Sequence, residues 1–148
     1  MGLGDWVKGL FGVNEADKFR AAGLRSREDA TRDFIELNEE INQGLLREGR
    51  QAVQARDAAA QQEALRRAMP TLEAMAHLLD ADGPKLASVY GMEAIFHYKR
   101  AVKNWVDAGH ALLVGDWDAY SAGMAEASRL YDRAVPEFED RAGALGMR

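Results

Sequence analysis

The sequence contains no cysteine, no apolar run long enough to span a bilayer, and no excess of basic residues. The lack of cysteine excludes thiolate metal ligands, thiol nucleophiles and disulfide bonds. A membrane-spanning helix needs about 18 or more consecutive apolar residues, and the apolar runs here are far shorter. A net charge of -5 disfavours binding to a nucleic-acid backbone, which requires a concentrated lysine and arginine surface. We therefore expect a cytoplasmic protein that does not bind nucleic acid.

Serine and threonine are also scarce, and none of them stands in a nucleophile elbow or in a glycine-rich phosphate loop. Nucleophilic chemistry and nucleotide binding therefore have no support in the sequence. We predict no catalytic residues and no cofactor, and we expect that the protein is not an enzyme.

Two pairs of glutamate and histidine are the strongest candidates for metal ligands. Glu73 precedes His77 by four residues, and Glu93 precedes His97 by the same spacing. Di-iron bundles use Glu-x-x-His together with inward-facing glutamates on two further helices. Both pairs fall on the polar arcs of their helices, and His110 lies roughly 140° around the axis from His97. The pattern therefore predicts surface side chains and no metal site.

What the sequence does contain is a pattern that occurs twice. Gly49 and Gly115 each follow a pair of leucines, and each glycine is followed by a long segment with an internal proline, Pro70 or Pro136. The glycines and the prolines have the same spacing of 66 residues, from 49 to 115 and from 70 to 136. Each half predicts a helix, a tight glycine turn and a returning helix kinked by its proline.

Apolar residues at helical spacing predict four long helices. The segment from Ser26 to Asp29 resembles a capping box at the start of the first helix, and residues 80–84 give the clearest loop signal. Gly91 and Gly109 lie at the centre of the apolar arc of the third helix, which predicts close approach of a neighbouring helix. The predicted helices span residues 27–48, 51–79, 85–114 and 117–142.

Short connections between long helices favour antiparallel neighbours. We predict an all-α fold in which residues 26–148 form an up-down-up-down four-helix bundle built from two similar helical hairpins. Residues 1–25 form a separate N-terminal prefix. The turn at Gly115-Asp116-Trp117 resembles the inter-helix turn of tetratricopeptide repeats, although the helices are too long for that repeat of about 34 residues.

The prefix begins with a predicted amphipathic helix over residues 1–13. Helices that lie on membranes usually carry lysine or arginine on the polar face, whereas here Lys8 is opposed by Asp5. We expect this helix to dock on protein, with a membrane surface or the groove of the bundle as alternatives. Its apolar side chains, the expected docking residues, are Leu3, Trp6, Val7, Leu10 and Phe11.

A second apolar group lies on the otherwise polar side of the third helix. Val89, Met92 and Phe96 fall within about two turns, and three basic residues follow them. Aromatic and methionine side chains beside charged residues are typical of protein contacts. We expect this group to bind a partner, with burial under the prefix or a neighbouring helix as the alternative.

These patterns predict a non-catalytic interaction protein, a small subunit or adaptor. It would dock on a partner protein or self-associate as an oligomer, through the prefix and the third helix. One alternative is a small-ligand-binding or catalytic bundle with an aromatic pocket between the third and fourth helices, although core packing explains those aromatics more simply. Another is a peripheral membrane protein anchored by residues 1–13. The aromatic set is Tyr90, Tyr98, Trp105, Trp117, Tyr120, Tyr131 and Phe138.

Overall fold

A computed structural model describes the backbone of residues 26–144 and the side chains through residue 140. This part of the chain is helical and contains no strand, which confirms the prediction of an all-α helical bundle. The prefix of residues 1–25 lies outside the described residues. The elements are α1 (Arg27–Ile41), a π-helical segment (Asn42–Glu48), α2 (Gly49–Gln54), α3 (Ala58–Tyr90), α4 (Met92–Leu113) and α5 (Trp117–Ala144).

The first helix is longer than the sequence predicted, because α1, the π-helical segment and α2 follow one another without a break. It begins as expected, with the Ser26 hydroxyl accepting the backbone N–H of Asp29 at 3.1 Å. It does not end at Gly49, whose backbone angles are those of a right-handed helix. A glycine costs a helix only about 1 kcal/mol. Buried Leu45 and Ala52 on either side outweigh that cost by packing into the core.

The two hairpin turns, at residues 55–57 and 114–116, are built alike. Each turn contains one residue with a left-handed backbone, Arg56 (φ 55) or Gly115 (φ 76). The N–H of that residue donates a hydrogen bond to the carbonyl oxygen three residues earlier in the chain. The N–H of the next residue, Asp57 or Asp116, donates to the carbonyl oxygen five residues earlier, and the two hydrogen bonds together form a Schellman motif. Each aspartate then caps the following helix with its carboxylate. The turns are therefore related by 59 residues, from 57 to 116, and the predicted match of Gly49 with Gly115 is wrong.

We expect Arg56→Gly to stabilise the protein. Left-handed backbone costs a non-glycine residue about 1 kcal/mol or more, and glycine adopts it freely. The free energy of unfolding, measured by urea denaturation, should therefore rise by up to about 1 kcal/mol. The reciprocal control is Gly115→Ala, which should lower the free energy of unfolding by a similar amount because of the positive φ. A steric clash would not contribute, since apart from its chain neighbours no described atom lies within 4 Å of the added Cβ. A less stable Arg56→Gly protein would contradict the turn geometry.

α3 contains one break, and it is not at a predicted proline kink. Asp82 has non-helical angles (φ -119, ψ 16), so the predicted loop of residues 80–84 shrinks to this one residue, two positions before Pro84. Pro70 lies within a stretch of α3 that keeps helical angles. The chain reverses instead at Gly91, whose φ of 98° and ψ of 147° are readily adopted only by glycine. Gly91 is therefore a turn residue and not the site of helix approach that the sequence predicted.

Two glycines do allow helices to approach closely. At Gly109 on α4, the side chain of Met69 from α3 occupies the space that a Cβ would take, where the sequence predicted the backbone of a neighbouring helix. At Gly123 on α5, an added Cβ would lie 3.0 Å from the Cβ of Ala108 and 3.1 Å from the carbonyl oxygen of Asn104. The first obstacle is a flexible thioether, whereas the second includes backbone.

We expect Gly123→Ala to destabilise the protein more than Gly109→Ala does. Both changes gain about 1 kcal/mol of helix propensity, but overpacking against backbone costs about 1 to 3 kcal/mol. The flexible side chain of Met69 has to move away from a new methyl group at Gly109, and the cost of that move should about offset the gain, so the free energy of unfolding should be nearly unaltered. Thermal melts of the two variants provide the comparison. A larger loss for Gly109→Ala would show that Met69 is fixed in place.

Aromatic rings from all four long helices meet around Phe34 of α1. Its ring centroid lies 5.1 Å from that of Tyr90, 5.4 Å from Tyr98 and 5.7 Å from Phe138. These separations are in the range that favours aromatic pairs. The hydroxyl of Tyr98 donates a hydrogen bond of 2.7 Å to Oδ1 of Asn38, one turn along α1. These contacts hold the start of the first helix to α4, to the end of α3 and to the end of α5.

Tyr98 should make stability depend on pH in the alkaline range. Burial raises the pKa of Tyr98 well above its ordinary value of 10.0. The folded state therefore keeps a proton that the unfolded state releases, so stability is full below about pH 10 and falls as the pH rises above it. Tyr98→Phe should lose about 1 kcal/mol at neutral pH with its hydrogen bond. The difference in free energy of unfolding between the parent and Tyr98→Phe proteins, measured by urea denaturation, should be smaller at about pH 11 than at neutral pH. A difference that does not change with pH would contradict the burial of this hydroxyl.

Candidate functional site

Two of the three residues of the expected docking group on the bundle are largely exposed. Met92 is 79% exposed and Phe96 is 54% exposed, and they lie one turn apart on the same side of α4. Val89, at the end of α3, is half-buried. We call Val89, Met92 and Phe96 the apolar face. The other expected docking residues, Leu3, Trp6, Val7, Leu10 and Phe11, lie outside the described residues.

Charged side chains border the apolar face and are held in place. The guanidinium of Arg100 lies over the ring of Phe96, with its carbon 5.5 Å from the ring centroid. Lys99 binds the carboxylate of Asp80 on α3 at 2.9 Å, and Lys103 lies 3.7 Å from the same oxygen. The hydrogen bond from Lys99 holds the pKa of Asp80 below its usual value. The basic residues after Phe96 thus form a charged border that contacts Asp80 and the ring of Phe96.

Val89 also belongs to a shallow groove of about 720 Å³ between the start of α1 and the end of α3. Ile35, which is 47% exposed, is its other large apolar residue. The groove adjoins Arg27, the first residue of α1, where the prefix joins the bundle. The apolar face therefore lies beside a concave surface at the end of the chain that carries the prefix.

A second concave site lies between the first helix and α5. We call it the side cleft, and its volume is about 350 Å³. The buried ring of Trp105, from α4, contributes to its lining. The sequence predicted an aromatic pocket between the third and fourth helices, whereas half of the twelve residues that line this cleft come from the first helix. The lining residues are Leu45, Leu46, Gly49, Arg50, Val53, Gln54, Gln61, Trp105, Met124, Ser128, Tyr131 and Asp132.

A tyrosine and an arginine give the side cleft its polar character. The hydroxyl of Tyr131 donates a hydrogen bond of 3.1 Å to Oδ1 of Asn42, the first residue of the π-helical segment. Burial raises the pKa of Tyr131, and the nearby charge of Arg50 opposes that rise. Among the described residues, Arg50 makes no ion pair within 4 Å.

The remaining aromatic residues of the predicted set do not form a pocket. Tyr90, Tyr98 and Phe138 pack against Phe34 and against one another. Trp117 is 55% exposed and contacts the ring of Tyr120 beside the second hairpin turn. Most of these aromatics therefore serve packing, and Trp105 and Tyr131 alone among them line the side cleft.

The histidines are spread along the bundle. His110 lies 3.3 Å from the carboxylate of Glu73, and His97 lies 3.9 Å from that of Glu137. In the part of the chain that the structure describes, no three histidine, aspartate or glutamate side chains are grouped closely enough to hold a metal ion. The four-residue pairs of the sequence therefore do not assemble a ligand set among these residues.

Three buried polar residues were not predicted from the sequence, namely Asp33, Thr71 and Asp82. Asp33 follows Ala30 by three residues and precedes Leu37 by four, a spacing that places it on the buried side of α1. This periodicity was the signal that could have found it. Asp82 is fully buried at the break in α3, where its Oδ1 lies 3.1 Å from the amine of Lys85. Asp82 stood in a predicted loop, which gave no indication of burial.

Comparison with known proteins gives no match: no family model, curated protein or solved structure is significantly similar to this chain. Within residues 26–144, no helix combines the length and the apolar character needed to cross a membrane.

Proposed function

We propose that this chain is a non-catalytic helical interaction protein, a small subunit or adaptor. It docks through the apolar face and through the apolar residues of the prefix. The observation that carries the proposal is the exposure of Met92 and Phe96 beside charged residues that are already held in place. Interfaces commonly have an aromatic and methionine centre with a polar rim.

Burial of the exposed ring of Phe96 would favour partner binding. Fully burying a side chain of this size contributes about 1.5 to 3 kcal/mol, and 54% of Phe96 is exposed in the described structure. Met92 adds a flexible side chain that adapts to an opposing surface. Arg100 and Lys99 contact Phe96 and Asp80, and they would belong to the polar rim around a bound partner.

The proposed architecture is an up-down-up-down bundle of two similar hairpins preceded by the docking prefix. The shared Schellman turns and aspartate caps support the similarity of the hairpins, at the spacing of 59 residues. Contacts between neighbouring helices support the antiparallel order, because residue numbers rise on one helix as they fall on the other. The first helix contacts α3 through Glu40 with Thr71 and Glu48 with Arg67. α3 contacts α4 through Glu73 with His110 and Asp80 with Lys99. α4 contacts α5 through Tyr98 with Phe138 and Trp105 with Tyr131.

Phe96→Glu should weaken self-association or partner binding while leaving the fold intact. The change adds charge to an exposed position, so the melting temperature should hardly move. Sedimentation velocity on the full chain reports the oligomeric state, and a thermal melt reports the fold. Leu113→Glu is the matched control, because Leu113 is an exposed apolar residue at the opposite end of the same helix. Equal association in the parent, Phe96→Glu and control proteins, both alone and with a captured partner, would contradict the proposal.

Deleting residues 1–13 should abolish the main association and leave the bundle folded. The described helices already bury a continuous core that includes Leu65, Leu72 and Trp105. Circular dichroism melting tests the fold, and light scattering tests the association. A collapse of helicity would show that the prefix belongs to the core, and unchanged association would show that it is not the docking element.

The alternative in which residues 1–13 bind a membrane predicts a different result for the intact chain. If residues 1–13 anchor the protein on lipid, the intact chain should float with anionic liposomes and the truncated chain should not. The proposed protein docking instead expects both chains to remain with the soluble fraction. Flotation of the intact chain would replace the present proposal with that of a peripheral membrane protein.

A further inference from the structure

We propose that the side cleft binds a small organic anion, a carboxylate with an apolar body such as a medium-length acyl chain. The apolar body would lie against Trp105, and the carboxylate would bind Arg50. This site is separate from the apolar face, and its occupation does not require the docking function proposed above.

The size and lining of the side cleft suit a small ligand. Its volume of about 350 Å³ is at the lower end of the range for small-molecule sites, about 300 to 1,000 Å³. Apolar side chains from the first helix and α5 form its walls, including Leu46, Val53 and Met124. The rigid, buried ring of Trp105 offers an aromatic surface to an apolar chain. Such sites combine an apolar lining with a few polar groups that orient the ligand.

The charge at one side of the cleft favours an anion. An adjoining cavity of about 410 Å³ shares Leu46, Arg50, Gln54 and Tyr131 with the side cleft. Among the described residues, this cavity adds Arg47 and no acidic residue. Asp132, which supplies the one carboxylate among the described lining residues of the side cleft, does not line this cavity. An anionic head group can therefore bind between two arginines while its apolar body extends into the cleft.

Arg50 is available for this role. It is exposed and makes no ion pair within 4 Å among the described residues, unlike Arg67, which binds Glu48 and Glu63. A guanidinium presents paired donors that match the two oxygens of a carboxylate. The hydroxyl of Tyr131 donates its proton to Asn42, so Arg50 and not Tyr131 would hold the carboxylate, and the tyrosine ring would serve as an apolar wall.

The backbone of the first helix departs from α geometry at this site. The π-helical segment Asn42–Glu48 supplies Leu45 and Leu46 to the lining, and Gly49 and Arg50 follow it directly. Short stretches of π-helix occur frequently at functional sites. Gly49 has no atom within 4 Å of the position that a Cβ would take, so its small size leaves open space in the wall. The π-helical backbone therefore lies beside Arg50, which makes no ion pair within 4 Å in the part of the chain that the structure describes.

The test uses the full chain with Trp6→Phe and Trp117→Phe, which leaves Trp105 as the one tryptophan. Octanoate is the probe, and octanamide is its neutral counterpart. We expect octanoate to change the fluorescence of Trp105 saturably and octanamide to bind about tenfold more weakly, because a charged hydrogen bond is lost. Arg50→Gln in the same background should weaken octanoate binding by about tenfold and leave octanamide binding unchanged.

Two controls make the result specific. Arg133→Gln removes an exposed arginine of α5 that lines neither cavity, and it should leave octanoate binding unchanged. Phe96→Glu tests whether octanoate binds the apolar face instead. The proposal is overturned if octanoate gives no saturable change, if Arg50→Gln and Arg133→Gln weaken it equally, or if Phe96→Glu abolishes it.

Discussion

The packing of Phe34 against three other rings is the contact on which the rest of the structure depends. Tyr90, Tyr98 and Phe138 come from the end of α3, from α4 and from α5, so one ring joins all four long helices. The break at Asp82 and the reversal at Gly91 bring Tyr90 into this cluster. The same reversal starts α4 at Met92, which places Met92 and Phe96 at the exterior beside the cluster. The exposed apolar face is thus a consequence of how the aromatic cluster is closed.

Farther along the first helix the packing is less complete. Leu45 lies eleven residues beyond Phe34, about 16 Å along the helix. Here the backbone becomes π-helical, and the side cleft opens between the first helix and α5. Asn38 accepts a hydrogen bond from Tyr98, and Asn42, one turn farther along, accepts one from Tyr131. Polar contacts therefore continue along the first helix from the aromatic cluster to the cleft. The bundle is closely packed around Phe34 and has a cleft beside Arg50 and Val53, so the two regions differ in character.

The sequence was sufficient for the helical class and for local signals, and insufficient where tertiary packing decides. Ser26 began its helix as predicted, because an N-cap depends on nearby backbone groups alone. Gly49 was taken for a turn, whereas the turn lies at Arg56, a residue with no sign of left-handed backbone in its chemistry. The exposure of Phe96 was predictable from its position opposite the apolar arc. The side cleft was not, because no local pattern indicates that the first helix becomes π-helical or faces α5.

The Phe34 cluster packs the bundle tightly at one end, and the side cleft interrupts the packing farther along, so amide hydrogen exchange of the full chain should distinguish the two regions. We expect the slowest exchange in residues 30–41 of α1 and in the segments of α4 and α5 that hold Tyr98 and Phe138. We expect clearly faster exchange in residues 42–54, which combine the π-helical segment with α2. Equal protection along the whole first helix, or faster exchange around Phe34 than around Leu46, would show that the packing does not differ in this way.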